Sequence, residues 1–292
     1  MDIVIVFNGL GNQMSQYSFF LQKKAINKAT YFIPFCKDHN GFELGNVFKI
    51  NNREAIIQKL LYVLFRILLT DKVKIISSPL KRLLNLLNCK IENESFDYNY
   101  NKKFMIPSKG ITFYYGGWHT EKYFVESKKT IEEAFEFTAP NDKENIDCIK
   151  KINETNSVSI HVRRGDFLNA DNINLFGNVC TKEYFAKAIA KMESEISNPI
   201  FFVFSNDLEW VKENLVINNV TYVSWNSGIN SWKDMYLMCL CKHNIIANST
   251  FSWWGAWLNK NSDKIVLSPS RFLKNDTFTD VYPDSWVKIS DY

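Results

Sequence analysis

Val158-Ser159-Ile160-His161-Val162-Arg163-Arg164-Gly165-Asp166 begins as an apolar run of strand character and ends in two arginines and a carboxylate. A strand that delivers guanidinium groups at its end makes an anion site. Each guanidinium is a planar fork of donors that matches phosphate oxygens in pairs and stays charged at physiological pH. Taken alone, the same residues also fit an ion cluster on a surface, so the surroundings decide. From here on, short apolar runs alternate with helical patterns. Strands are expected at 157–162, 200–205, 220–224, 243–247 and 264–267, and helices near 182–195, 207–215, 232–241 and 252–259. That alternation specifies a doubly wound α/β domain. Its strands, such as Ile200-Phe201-Phe202-Val203-Phe204 and Ile265-Val266-Leu267, are continuously apolar, as strands covered by helices on both faces are.

In such a sheet, ligands bind in the crevice outside the carboxyl ends of the strands. The residues at or after those ends are His161, Arg163, Arg164 and Asp166, then Ser205-Asn206-Asp207, then Asn248-Ser249-Thr250-Phe251-Ser252-Trp253-Trp254. The Asn-Ser-Thr run opens a helix, where hydroxyl side chains and free backbone N–H groups make either an ordinary N-cap or a phosphate pocket. Two arginines from one strand and a helix start from another give a diphosphate two walls.

The first half of the chain is less regular. A strand at Ile3 to Phe7 runs into Asn8-Gly9-Leu10-Gly11-Asn12-Gln13, followed by an apolar-periodic helix from about Met14 to Asn27 and a strand from Ala29 to Pro34. The pattern is then helical to about Leu87. A strand is expected at Ile111 to Tyr115, a helix at Glu121 to Phe135, a loop at Ala139-Pro140-Asn141-Asp142 and a helix near 145–152. This divides the chain into a domain at 1–145, with a helical insertion at about 40–105, and a domain at 146–292. Gly9 and Gly11 form half of a dinucleotide fingerprint, without the third glycine or an acid about 20 residues on. The pair reads as a close backbone approach to a ligand, or as a tight turn only.

Composition narrows the class. A chain of 292 residues that is 46% hydrophobic and 23% charged folds around a sizeable core, with room for two domains. Its net charge of +4 is too small to suggest nucleic acid as a partner. The six cysteines lie scattered, without paired spacing or nearby histidines, so reduced thiols and no metal site are expected. Met1-Asp2-Ile3-Val4 has an acid where a secretory signal carries positive charge, which makes the cytoplasm the expected compartment. Ala55 to Leu69 is nearly all apolar, yet Lys59 and Arg66 interrupt it and it falls short of the roughly 20 residues a bilayer crossing needs. A buried core helix is expected. The alternative is peripheral membrane contact through 55–87, where Lys59, Arg66, Lys72, Lys74, Lys81, Arg82 and Lys90 outweigh Asp71.

Four ordered stretches carry a family resemblance: Gly9 to Met14, His161 to Asp166, Phe202 to Asp207 and Ile245 to Trp257. On these the chain resembles the bacterial α-1,2-fucosyltransferases that build O-antigen and capsule polysaccharides. The resemblance covers most of the chain, with no motif in 40–105. It implies a GT-B-like α/β glycosyltransferase of two Rossmann-like domains, with the donor site in the C-terminal one. It implies inverting transfer of L-fucose from GDP-fucose to the 2-hydroxyl of a galactose-type residue, in a glycan or lipid-linked oligosaccharide. No cofactor or divalent metal is implied, in keeping with the lack of an Asp-x-Asp motif.

By the same likeness Arg163 meets the β-phosphate and Arg164 supports it or holds the loop. His161 and Asp234 contact the nucleotide, with Asp234 accepting from the guanine N1–H and exocyclic amine. Asn248, Ser249, Thr250 and Phe251 line the phosphates, and Gly11 lies at the backbone approach. Asn12 orients the acceptor or a phosphate. Asp166, His119 or a phosphate oxygen takes the acceptor's proton. The chain departs from the family at Asn8, Ser15, Gly117, Trp118 and His119, all on the acceptor half, which leaves the acceptor open. The competing readings are a fucosyltransferase of α-1,6 or protein O-linkage, an NAD-dependent or other nucleotide-binding Rossmann protein, and a glycan-binding module using its tryptophans.

Overall fold

β1 (Asp2–Val6) is buried along its whole length at the centre of the first sheet. The structure is a computed structural model; it describes all residues except 37, 38, 51–54, 70–81, 83, 85, 96, 171, 276, 277, 291 and 292, and only the backbone of 55, 56 and 166. The chain divides into two compact units, Met1–Glu136 and Phe137–Tyr292.

In the first unit β1 pairs in parallel with β2 (Thr30–Pro34) on one side and β4 (Thr112–Tyr115) on the other, and β3 (Lys90–Asn93) pairs with β4. Parallel neighbours need crossovers, and α1 (Leu10–Ile26) supplies the one from β1 to β2. α1 begins at Leu10 rather than near Met14 because Gly11, Asn12 and Gln13 form a polar first turn that carries no apolar period. α2 (Glu43–Phe48) and α3 (Ala55–Leu69) follow β2. Leu61 and Phe65 of α3 pack on Ile3, Ile5 and Phe113. Leu60 and Val63 on its other side are 68% and 55% exposed, so the expected buried core helix is only half-buried. The helix expected at Glu121 to Phe135 is broken. Two 3-10 turns, Glu121–Tyr123 and Val125–Ser127, precede α4 (Lys128–Ala134), because Phe124 lies between them with a non-helical backbone. At the amino end of β1 a buried ion pair, Lys23 Nζ to Asp2 Oδ2 at 3.2 Å, ties α1 to the sheet.

The second unit holds α5 (Lys143–Glu154), β5 (Asn156–Val162), α6 (Lys182–Glu195), β6 (Pro199–Ser205), α7 (Leu208–Asn214), β7 (Val220–Val223), α8 (Trp232–Leu240), β8 (His243–Ile245), α9 (Thr250–Trp257), β9 (Val266–Pro269) and β10 (Val287–Ile289). All strands run parallel in the order β10-β9-β8-β5-β6-β7. From β5 the chain steps outward through β6 and β7, then returns to lay β8, β9 and β10 on the other side. That is the 3-2-1-4-5-6 order of dinucleotide-binding sheets, with its topological switch point between β5 and β8. Both faces of the sheet are covered, one by Val158, Ile160, Phe201 and Val203 packed against α6, the other by Phe202 and Phe204 against α8. Helix starts are set by local caps: Asp142, Thr181, Asp207 and Ser249 each accept from a backbone N–H in the first turn that follows.

Among the described residues no helix is long and apolar enough to cross a membrane, all six cysteines are free thiols, and no cluster of His, Cys, Asp and Glu could hold a metal ion.

Candidate active site

β5 ends in His161 and Val162, and the chain then turns out of the sheet at the switch point. His161 is buried, and its ring centroid lies 5.7 Å from that of Phe251 at the start of α9, so the ends of β5 and β8 meet here. Burial first, then the charge of Arg163, push the imidazole down to about 3, so it is neutral at physiological pH. Its Nδ1 is buried and makes no hydrogen bond.

The two arginines differ. Arg164 Nε donates to Asp207 Oδ2 at 3.1 Å, its guanidinium lies 4.0 Å from the Trp210 ring centroid, and its backbone N–H donates to Asn206 Oδ1 at 3.0 Å. It holds the loop after β5 to the start of α7. A Cβ at Gly165 would lie 2.1 Å from the Asn206 amide nitrogen, so a larger residue there would displace the side chain that accepts from Arg164 N–H. Arg163 is half-buried, with its guanidinium 5.8 Å from the Phe167 ring centroid. Asp166 lies in the 3-10 turn Gly165–Leu168; its side chain is outside the described residues.

Across the switch point, Asn248 is buried and its amide donates to the carbonyls of Phe176 and Phe272 at 3.1 and 3.0 Å. Its side chain thus holds two loops in place, and its offer to a ligand is the course of its backbone. Ser249 caps α9, its Oγ accepting from Phe251 N–H at 3.3 Å. Thr250 opens the helix, whose amino end carries the partial positive charge of its first-turn N–H groups. Tyr184 braces this edge from below, donating to the Ile246 carbonyl at 2.6 Å. Asp234 sits in the first turn of α8. Its Oδ1 accepts from Asn226 at 2.8 Å, and burial raises its carboxyl to about 7.

In the first unit, Gly11 and Asn12 lie in the first turn of α1. The left-handed backbone at this turn belongs to Asn8, with φ 63°, while Gly9 is extended, so the glycine pair is not itself the bend. Gln13 fastens the turn: its amide donates to Asn8 and Gly41 carbonyls at 2.7 Å each, and its oxygen accepts from Glu43 N–H at 2.9 Å. His119 is buried beside Tyr98, and desolvation pushes it down to about 3, which makes it a weak proton acceptor.

A buried acid of the first unit, Glu94, was not legible in the sequence. It follows β3, and its Oε2 accepts from the backbone N–H groups of Gly117 and Trp118 at 2.7 Å each. Burial, against those two donors, raises it to about 8. The lone acid at the end of a polar strand gave no signal, since its partners lie 23 and 24 residues away in the chain.

Fold and edge residues define a Rossmann-type α/β protein whose switch point carries arginines on one side and a capped helix start on the other. The chain belongs to glycosyl transferase family 11, whose sequence pattern matches residues 2–290. It is 33% identical over 303 aligned residues to an α-1,2-colitosyltransferase of Escherichia coli, covering 99% of each chain. It is 40% identical over 136 residues to the O-antigen biosynthesis glycosyltransferase WbnK of Escherichia coli, covering 46% of this chain and 45% of that one. The human galactoside α-(1,2)-fucosyltransferase 1 is 32% identical over 140 residues, 46% of this chain and 38% of that one. Among solved structures, the fucosyltransferase NodZ from Bradyrhizobium aligns with a TM-score of 0.47 at 10% identity, covering 87% of this chain and 91% of that one. The family match over residues 2–290 bears out the family resemblance, and the protein is a glycosyltransferase rather than an oxidoreductase or a glycan-binding module.

Proposed function

We propose that the chain transfers L-fucose from GDP-fucose to the 2-hydroxyl of a galactose-type residue in a surface glycan or its lipid-linked precursor, with inversion at the anomeric carbon. The observation that carries this reading is the meeting of two strand ends at the switch point, where the His161 and Phe251 rings lie 5.7 Å apart. Half-buried Arg163 follows β5 there and the Ser249-capped start of α9 follows β8, and the anion-facing role is assigned to Arg163.

As the fucosyl C1–O bond breaks, the sugar gains oxocarbenium character and negative charge grows on the β-phosphate oxygen. Donors aimed at that oxygen favour the transition state over the ground state. Arg163 and the amino end of α9 supply them, and His161, Ser249, Thr250 and Phe251 shape the pocket around the diphosphate. Asp234 holds the base. With these groups neutralising the leaving GDP, the scheme uses no divalent cation. Asn12 orients the acceptor, whose proton passes to Asp166 or to a phosphate oxygen of the departing GDP.

The acceptor-bearing membrane enters the proposal through α3. Ile57, Leu60 and Val63 are exposed beside exposed Lys59 and Arg66, a combination suited to the inner face of an anionic bilayer and to a cytoplasmic, peripheral enzyme.

Incubation with GDP-fucose and a panel of β-galactosides in EDTA, followed by linkage analysis, tests the reading. An α-1,2-linked fucosyl product supports it, whereas α-1,6 transfer or none removes it. A second donor is favoured by the full-length relative: colitose is fucose without its 3-hydroxyl, so GDP-colitose belongs in the same assay.

A further inference from the structure

A polar ring closes on itself at the start of α8. Lys233 Nζ donates to Asp142 Oδ2 at 2.8 Å, and Asp142 Oδ1 accepts from the Asn145 amide at 2.6 Å. Asn145 and Asn226 exchange amide hydrogen bonds in both directions, at 2.9 and 3.0 Å, and Asn226 Nδ2 also donates to Asp234 Oδ1 at 2.8 Å. Trp225 Nε1 adds a bond to Asn145 Oδ1 at 3.1 Å. Lys233 and Asp234 are chain neighbours, which completes the circuit.

Every amide hydrogen of the two asparagines is used, so neither side chain can flip without losing partners. The direction of the Asn226 donor toward Asp234 is thereby set. The other carboxylate oxygen, Asp234 Oδ2, has no partner among the described residues. A satisfied network thus ends in one open acceptor, on a helix that starts beyond the carboxyl end of β7, the edge where nucleotides bind.

We propose that Asn226, backed by Asn145, is a positioning residue for base recognition. It fixes the Asp234 carboxylate to accept from a base edge with two adjacent N–H donors, the edge that guanine offers and adenine, cytosine and uracil do not. This inference rests on the GDP-sugar reading of the donor.

The electrostatics give it a signature. Burial raises the Asp234 carboxyl to about 7 and the Asn226 bond opposes that rise. Without the bond the group holds its proton at neutral pH and presents an O–H where guanine needs an acceptor. Two neighbouring groups, Asp142 and Cys148, do not titrate in this range. The bond from Lys233 is the main cause holding Asp142 down at about 2, and burial pushes the Cys148 thiol on α5 up to about 12. α9, packed against α8, carries no charged residue.

Calorimetric titration of the full chain with GDP and with IDP, which lacks the 2-amino group, tests the relay in wild type and Asn226→Leu. At about pH 7 the variant should bind GDP about tenfold more weakly and lose preference for GDP over IDP, and it should regain both by about pH 8.5. Asn226→Ser, which keeps a donor, should retain part of the preference. Should Asn226→Leu fail to fold, Trp225→Phe, which removes only the indole bond to Asn145, should show the same pattern at smaller size. A variant that binds GDP within about twofold of wild type at pH 7, or loses both ligands equally at both pH values, overturns the relay alone. A wild type that binds IDP as well as GDP also overturns it, and a wild type that binds no guanine nucleotide overturns the donor reading together with the relay.

Discussion

Arg164 Nε lies 3.1 Å from Asp207 Oδ2, and this pair joins the loop after β5 to the first turn of α7. Its members are 24% and 35% exposed at the side chain, so solvent screens the attraction. Asp207 also caps α7 through its other oxygen, which accepts from Trp210 N–H at 3.2 Å. Asp207→Asn keeps the cap and removes the charge. A double-mutant cycle with Arg164→Ala should give a coupling energy below about 1 kcal/mol, read from denaturant unfolding. A coupling of several kcal/mol would mean the arginine is buried in the loop's structure rather than set at its surface.

Asn248 holds the Phe176 and Phe272 carbonyls from a buried position. Asn248→Ala leaves both acceptors without that partner and should destabilise the protein by about 1–3 kcal/mol, with weaker donor binding as the β8–α9 loop loosens. Unchanged unfolding midpoints would show that the loops are held by other means.

How far the sequence carried the fold follows from which residues carry the signal. β6, as Ile200-Phe201-Phe202-Val203-Phe204, is legible because a strand buried on both faces is apolar throughout. β3, Lys90-Ile91-Glu92-Asn93, and β10, Val287-Lys288-Ile289, are edge strands held by pairing to β4 and β9, and their polar residues hide them. At the site, the spacing placed His161, Arg163 and Ser249 at the sheet's edge. Spacing alone did not separate Arg163 from Arg164, which only the resemblance did; the partners that hold Arg164, Asp207 and Trp210, are brought there by β6. The Asn145–Asn226 ring was hidden for the same reason: its members lie 81 residues apart.

Glu94 makes stability fall with rising pH. Burial raises its carboxyl from 4.5 to about 8, so the folded chain holds a proton that the unfolded chain has released across that window. The contribution is complete below about pH 4.5 and is lost as pH rises through about 8. Glu94→Gln removes the titration. Between pH 5 and 8.5, the melting temperature of wild type should fall relative to that of the variant; parallel curves would contradict the assignment.

α3 presents Leu60 and Val63 to solvent beside Lys59 and Arg66. In flotation assays the chain should rise with vesicles rich in anionic lipid and remain behind with neutral ones, and Leu60→Glu with Val63→Glu should abolish the difference. A wild type that never floats would remove the membrane contact from the proposal.

The role given to Arg163 is the centre of the mechanism, and transfer from GDP-fucose to a β-galactoside in EDTA measures it most directly. Arg163→Ala should still fold and lose transfer by roughly a hundredfold to a thousandfold, the usual loss when one donor to a developing anion is removed. Transfer by the variant within a few-fold of wild type would contradict the mechanism.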